Sequence, residues 1–260
     1  MNARRLAIGI DIGGTGIKGA AIDAATGARL TSRHRVSTPA GGTPADIALA
    51  AGAMVAAIRA ELAEAGPQPP AELPIGIALP GVVQHGIMRT AANIDPSWIG
   101  ADAQWLLSEA VGAPCRVVND ADAAGVGEST FGAARGELGT TLVLTFGTGI
   151  GSALLHDGVL VPNLELGHLQ LDGHPDIERH AAAKVIEREG ISLGQWAERA
   201  GRYLIHLEVL FNPDRFVLGG SISKAADQYL PFPGVQAPVV PAQLRNNAGI
   251  VGAAWLATTA

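Results

Sequence analysis

The sequence predicts an α/β protein built from a duplicated unit in two lobes around a cleft, and three observations carry that prediction. Short apolar runs of strand length alternate with stretches whose apolar residues recur every three or four positions, as on one face of a helix. The strand-like runs end in glycines or in Asn-Asp, where the backbone can turn sharply. Gly14-Thr15-Gly16-Ile17 recurs letter for letter as Gly147-Thr148-Gly149-Ile150, each time after one apolar strand and before a second apolar stretch with a turn. A chain of 260 residues accommodates two modest domains. They are expected at 1–118 with a returning C-terminal helix at 246–260, and at 119–245.

Leu6 to Ile10 reads as a buried strand, followed by Gly13-Gly14-Thr15-Gly16, a returning stretch Ala20 to Ile22 and a turn at Asp23 to Gly27. A helix begins after Thr43 as N-cap with Pro44 at its first position. It places Ile47, Ala51, Met54, Val55, Ile58 and Leu62 on one face and ends at Gly66-Pro67. Pro67 to Pro74 is a connector, and Ile75 to Leu79 a strand closing on Pro80-Gly81. Arg116 to Val118 and Thr141 to Phe146 are further strands. Asp157-Gly158 between apolar residues from Leu154 to Val161 marks a hairpin. Ser192 caps a helix running to Phe211 and stopped by Asn212-Pro213. Arg215 to Leu218 is the last strand, entering Gly219-Gly220, and Asn246 to Ala257 reads as a helix that crosses back to the first domain.

Composition narrows the class. Hydrophobic residues make up 48% and charged residues 16%, enough apolar material for a core and too little charge for a disordered chain. The single cysteine, Cys115, excludes an intramolecular disulfide and any multi-cysteine metal site, and fits a reducing compartment. Arg4 and Arg5 precede an apolar run too short for a signal-peptide core. No apolar run reaches the ~18 residues of a membrane span, so a cytoplasmic protein is expected. A net charge of −6 disfavours a surface devoted to nucleic acid, and an anionic substrate would need a local basic patch.

In Asp11-Ile12-Gly13-Gly14-Thr15-Gly16-Ile17-Lys18, glycines let backbone N–H groups converge on an anion. Thr15 adds a hydroxyl and Lys18 a charge, while Asp11 could hold magnesium through its waters. A tight turn that merely uses glycine is the bland alternative. The literal match Gly14-x-Gly16-x-x-Gly19 is not a dinucleotide fingerprint, because Gly19 leads into a turn at Thr26-Gly27 rather than into a helix. Nor is Lys18 followed by Ser or Thr, as the triphosphate P-loop requires. Asn119-Asp120 stands between a strand end and a helix start. A carboxylate there can take a proton from a substrate hydroxyl while the amide orients a neighbouring one. The position equally suits Asp120 or Asp122 as an acidic N-cap or first-turn residue favoured by the helix dipole. Glu165 and His168 offer clustered hydroxyl partners of the kind a sugar ring needs, though such residues also occur on ordinary surface loops.

In this order the motifs resemble those of the ROK sugar kinases of the actin-like ATPase (ribonuclease H-like) superfold, from Ile8 to about Ala254. The resemblance rests on Asp11 to Lys18, Pro80-Gly81-Val82-Val83, Thr90-Ala91-Ala92-Asn93 with Trp98-Ile99-Gly100, Val118 to Gly125, Leu144 to Gly151, Glu165-Leu166-Gly167-His168 and Gly219-Gly220. It implies Asp120 as catalytic base and sugar contacts at Gly81, Asn93, Asn119, Asp120, Glu165, His168 and, across a variable loop, Glu178. Phosphate-donor contacts are implied at Asp11, Gly13, Gly14, Thr15, Lys18, Thr145, Gly147, Thr148 and Gly149, with Gly219 and Gly220 near a nucleoside. Mg²⁺ is expected as cofactor, glucose and also mannose as acceptors, and a homodimer as the assembly.

Most members follow the Glu-x-Gly-His motif with a cysteine-rich zinc loop, whereas Leu169 to Glu178 contains no cysteine. No structural zinc is therefore expected and His168 is expected free of metal. The branch that uses inorganic polyphosphate as well as ATP shares this loss. Lys18, Lys184, Arg188, Arg199, Arg202 and Lys224 are candidate contacts to such a polyanion. The first strand opens the chain, so the DNA-binding helix-turn-helix of ROK repressors is not expected. An ATP-only hexokinase of the family and a non-catalytic sugar-binding regulator remain as other readings of the same motifs.

Overall fold

A computed structural model describes residues 5–65 and 72–259. Arg4, the Gly66-Pro67 helix stop and most of the proline-rich connector lie outside the described residues. The chain divides into two compact units, one from the N-terminal residues to Gly127 together with the segment from Asn247 onward, and one from Glu128 to Asn246.

In the first unit β1 (Leu6–Gly13) and β2 (Gly16–Asp23) form an antiparallel hairpin, followed by the short strands β3 (Ala28–Arg29) and β4 (His34–Val36). The helix α1 (Pro44–Ala65) follows, then β5 (Ile75–Leu79) and a small hairpin, β6 (Val83–Gln84) with β7 (Ile87–Met88). Next come α2 (Ala103–Val111), β8 (Cys115–Asn119) and α3 (Asp120–Phe131). The sheet order is β3-β2-β1-β5-β8, with β4 also on β2, and β1, β5 and β8 run parallel. Both strands of the opening hairpin extend further than expected, so that Gly13 pairs with Gly16 and only Gly14 and Thr15 remain in the turn. Small residues inside a paired ladder carry little apolar signal, which is why their strand character is weak in the sequence.

The second unit contains β9 (Thr140–Phe146), β10 (Ile150–His156) and β11 (Val159–Val161), with Asp157 and Gly158 both at positive φ in the hairpin turn. Then come α4 (Glu178–Ala181), α5 (Lys184–Glu189), α6 (Leu193–Phe211), β12 (Arg215–Gly220) and β13 (Val239–Pro241). Its sheet order is β11-β10-β9-β12-β13, with β12 parallel to β9 and to β13. Order and directions match β3-β2-β1-β5-β8 strand for strand, so the recurring four residues mark a duplicated sheet.

Each unit has its own core. In the first, Ile8, Ile10 and Ile12 of β1 and Ile75, Ile77 and Leu79 of β5 are buried with Ile47, Met54 and Ile58 of α1. In the second, Phe146 meets Trp196 edge-on at 5.5 Å, and the Trp196 indole N–H donates to the Ala181 carbonyl at 2.9 Å, which ties α6 to α4. The start of α6 carries a capping box between Ser192 and Gln195. Among the described residues, no helix is long and apolar enough to cross a membrane.

The final helix, α7 (Ala248–Ala257), belongs to the first unit, starts slightly later than expected behind a 3₁₀ turn at Arg245–Asn247, and packs on its sheet. It comes so near that a Cβ placed on Gly9 would lie 1.9 Å from the Ile250 carbonyl oxygen, and one on Gly76 would lie 1.8 Å from that of Ala253. The same helix meets α3, where a Cβ on Gly252 would strike the Ala123 carbonyl. Gly76→Ala is accordingly expected to lower stability by about 3 kcal/mol, the upper end of ordinary over-packing. Chemical denaturation of the variant checks this, and an unchanged midpoint would contradict the close approach.

Candidate active site

In the first unit the predicted residues collect at the carboxyl ends of parallel strands, the edge at which open α/β sheets bind ligands. The Gly14-Thr15 turn follows β1, Gly81 follows β5, and Asn119-Asp120 close β8 and open α3. Asp11 and Lys18 are cross-strand partners in the hairpin, which brings Lys18 Nζ within 3.3 Å of Asp11 Oδ2. Gly14 packs on Asn93, where an added Cβ would meet the Asn93 carbonyl oxygen at 2.6 Å, so a phosphate-cradle residue and a sugar-contact candidate share one place. A cavity of about 300 Å³ lies there, lined by Gly14, Thr38, Gly42, Asn93, Ile94 and Asp95 among others.

Asn119 is buried and decides the local geometry. Its Oδ1 accepts the Asp122 N–H at 3.0 Å, and its Nδ2 donates to the Gly81 carbonyl at 3.1 Å. Asn119 is thus the N-cap of α3, and Asp120 and Asp122 fall in its first turn, the other of the two acidic placements the residues alone suggested. Asp120 occupies the first helical position, half-buried, with Oδ1 accepting the Ala121 N–H at 2.8 Å. The amide of Asn119 is largely engaged by the protein itself, leaving one N–H for a ligand.

In the second unit the turn Gly147-Thr148-Gly149 is closed by Phe146 opposite Ile150, one residue wider than its counterpart. Gly219 and Gly220 lie beside it, paired with Thr145 and Phe146. The Glu178 carboxylate sits beneath the turn and accepts the Ile150 N–H at 3.0 Å, and a Cβ on Gly149 would collide with it. The Gly147 carbonyl accepts the Lys184 N–H at 3.0 Å, so α5 begins against the turn.

Glu165 and His168 flank the 3₁₀ turn Leu166–His168, with His168 Nε2 3.7 Å from Glu165 Oε2. Burial pushes the Glu165 carboxyl above the usual carboxylate range; His168 pulls it down and Glu178 pushes it further up. His168 Nδ1 lies 3.2 Å from Asp176 Oδ1, and Arg179 Nε donates to Asp176 Oδ2 at 3.1 Å. His168, Asp176 and Glu178 each offer a ligand atom within 4.8 Å of the others, a spacing that could admit a cation.

Of the basic candidates, Arg188 and Arg199 are paired with Glu189 at 2.6 and 2.7 Å, and Arg202 with Asp172 at 2.6 Å. These arginines already have their counter-charges. Lys184 and Lys224 are exposed and form no ion pair among the described residues.

Sequence reasoning missed Asp176 and Arg179. Their i, i+3 spacing was visible, but nothing local connects Asp176 to an imidazole eight positions earlier. It also missed Thr38, whose hydroxyl donates to the Gly13 carbonyl and steadies the first turn from outside the hairpin. No local pattern signals that contact.

Residues 7–183 and 181–260 match the ROK family. The chain belongs to it. Polyphosphate glucokinase of Mycobacterium tuberculosis is 43% identical over 252 residues, covering 96% of this chain and 91% of that one. The crystal structure of inorganic polyphosphate/ATP-glucomannokinase from Arthrobacter sp. strain KM is 49% identical with a TM-score of 0.91, covering 98% of each chain. A ROK family glucokinase from Streptomyces griseus, crystallised with glucose and AMPPNP, is 27% identical with a TM-score of 0.76, covering 98% of this chain and 100% of that one. The duplicated sheets of this ROK chain are those of the two-lobed actin-like kinase fold.

The upward shift of the Glu165 carboxyl has a sign that can be tested. Its ionised form is disfavoured in the folded state, so the cost to stability is absent below the ordinary carboxylate value and complete above the raised one. Glu165→Gln is therefore expected to raise Tm at pH 7, and the gap from the wild type should close as pH falls below about 4.3. Thermal melts of both proteins across that range check it.

Proposed function

We propose that this chain transfers the terminal phosphoryl group of inorganic polyphosphate, and of ATP, to the 6-hydroxyl of glucose, with mannose as a further acceptor. The observation that carries the reading is the 49% identity, with coverage of 98% of each chain, to a polyphosphate/ATP-glucomannokinase.

Asp120 is assigned as the general base. It takes the proton of the 6-hydroxyl as the oxygen's electron pair attacks the terminal phosphorus, and the bridging P–O bond breaks toward the shortened donor. The sugar contacts are assigned to Gly81, Asn93, Asn119 and Asp120 in the first unit and to Glu165, His168 and Glu178 in the second. Donor contacts are assigned to Asp11, Gly13, Gly14, Thr15 and Lys18, and to Thr145, Gly147, Thr148 and Gly149, with Gly219 and Gly220 toward a nucleoside. Charge spreads over the phosphoryl oxygens in the loose transition state, and preorganised backbone N–H groups and the Lys18 ammonium offset it. Asp11 supplies the hard oxygen suited to Mg²⁺ held through its water shell, and the bound ion would neutralise phosphate charge. A homodimer is proposed on the family resemblance alone.

The deciding experiment incubates the purified protein with glucose, Mg²⁺ and either nucleotide-free polyphosphate or ATP, and measures glucose 6-phosphate. Product from both donors is expected. Product from ATP alone would indicate an ATP-only hexokinase, and glucose binding without turnover a regulator. Asp120→Asn should retain glucose binding and lose ~10²–10⁴ in kcat, and wild-type turnover would remove Asp120 from the mechanism. Lys18→Ala should raise KM for the phosphate donor more than for glucose. Unchanged donor kinetics would contradict its placement.

A further inference from the structure

We propose that Asp176, backed by Arg179, is a positioning residue that fixes the ring orientation and tautomer of His168, so that Nε2 presents a lone pair to a sugar hydroxyl beside Glu165. The inference rests on the reading of Glu165 and His168 as sugar contacts.

The geometry is a short relay within one unit. Arg179 Nε donates to Asp176 Oδ2 at 3.1 Å, and Asp176 Oδ1 lies 3.2 Å from His168 Nδ1. An ionised carboxylate only accepts hydrogen bonds, so the proton between Asp176 and the ring belongs to Nδ1. In the neutral imidazole Nε2 is then an acceptor, and the tautomer is set by what the other nitrogen meets. Nε2 and Glu165 Oε2 are 3.7 Å apart, beyond hydrogen-bonding distance, so they do not satisfy one another. Two acceptors side by side suit neighbouring ring hydroxyls, each of which gives one proton. Had the proton been on Nε2, the ring would donate toward that hydroxyl, and Asp176 would face a bare Nδ1.

Asp176 can do this because its neighbour in the chain is anchored. Ile177, next to it, is buried in the core of the second unit, and its N–H donates to the Leu169 carbonyl at 2.9 Å. The carboxylate itself is only 22% exposed, while the Arg179 side chain is 81% exposed and reaches back over it. Asp176 thus meets His168 at Nδ1 while Glu165 lies nearer Nε2, and Arg179 holds the other oxygen of Asp176.

The test combines kinetics with ¹⁵N imidazole spectra of the full chain, the His168 signal being assigned by its loss in His168→Gln. The wild type is expected to show His168 protonated at Nδ1. Asp176→Ala is expected to abolish that preference and to raise KM for glucose about tenfold, with kcat and KM for the donor within about twofold, as for loss of one charge-assisted hydrogen bond. A wild-type ring protonated at Nε2, or an unchanged glucose KM in Asp176→Ala, would overturn the proposal. Should Asp176→Ala fail to fold, Arg179→Gln carries the test, since that side chain is exposed. A glucose KM raised about two- to threefold at unchanged Tm supports the relay, and no rise contradicts it. A wild type that forms no glucose 6-phosphate would overturn the functional reading and the hydroxyl role with it, while the spectra still decide whether Asp176 sets the tautomer.

Discussion

A single buried amide organises the first unit's part of the site. Asn119 holds the Gly81 carbonyl with one end of its side chain and caps α3 with the other, so the loop after β5 and the first turn of α3 cannot move independently. Asp120 inherits its position from that bond pair. Removing one partner would leave a buried polar group unsatisfied, which costs far more than a typical surface hydrogen bond. Beneath it, α7 presses carbonyl groups onto glycine positions of β1 and β5, and a side chain at either glycine would lift the helix from the sheet. The strands that lead to Asp11 and Gly81 are therefore held by close backbone contact with α7 as well as by the isoleucine core they share with α1.

Duplication supplies two glycine turns on matching sheets, and the differences between them tell as much as the likeness. The first turn is closed by Gly13 and Gly16 and steadied by the Thr38 hydroxyl; the second is closed one residue wider and rests on the Glu178 carboxylate. Each turn thus leans on a side chain brought from elsewhere in its own unit. In the second unit that side chain lies near Glu165, whose ionisation Glu178 opposes. A site residue that weakens its surroundings while free is what a sugar-binding carboxylate stripped of water would be expected to be.

Much of this was legible in the sequence, for identifiable reasons. Long apolar periodicity found α1 and α6, and the Asp157-Gly158 dipeptide found the β10–β11 turn. The repeated tetrapeptide pointed to the duplication because a turn that must expose backbone N–H groups tolerates few other residues. What escaped was short or non-local. The two- and three-residue strands β3 and β4 have too few residues to show a period. Helix α2 had its signals in the Asp102 cap and Gly112 in the left-handed region, yet its nine residues carry no strong stripe. Asp176 and Thr38 act on residues far enough along the chain that only tertiary packing joins them. The register of the second turn could not be read, since the same four letters close differently once Glu178 takes the Ile150 N–H.

We propose that Asp120, fixed by Asn119, receives the proton of the acceptor's 6-hydroxyl. The most direct measurement is the distance between that hydroxyl oxygen and the Asp120 carboxylate in a crystal structure of the glucose complex. A separation of about 2.6–3.2 Å is expected, the range in which a base can take the proton. A glucose bound with its 6-hydroxyl turned to another group, and Asp120 left facing solvent, would contradict it.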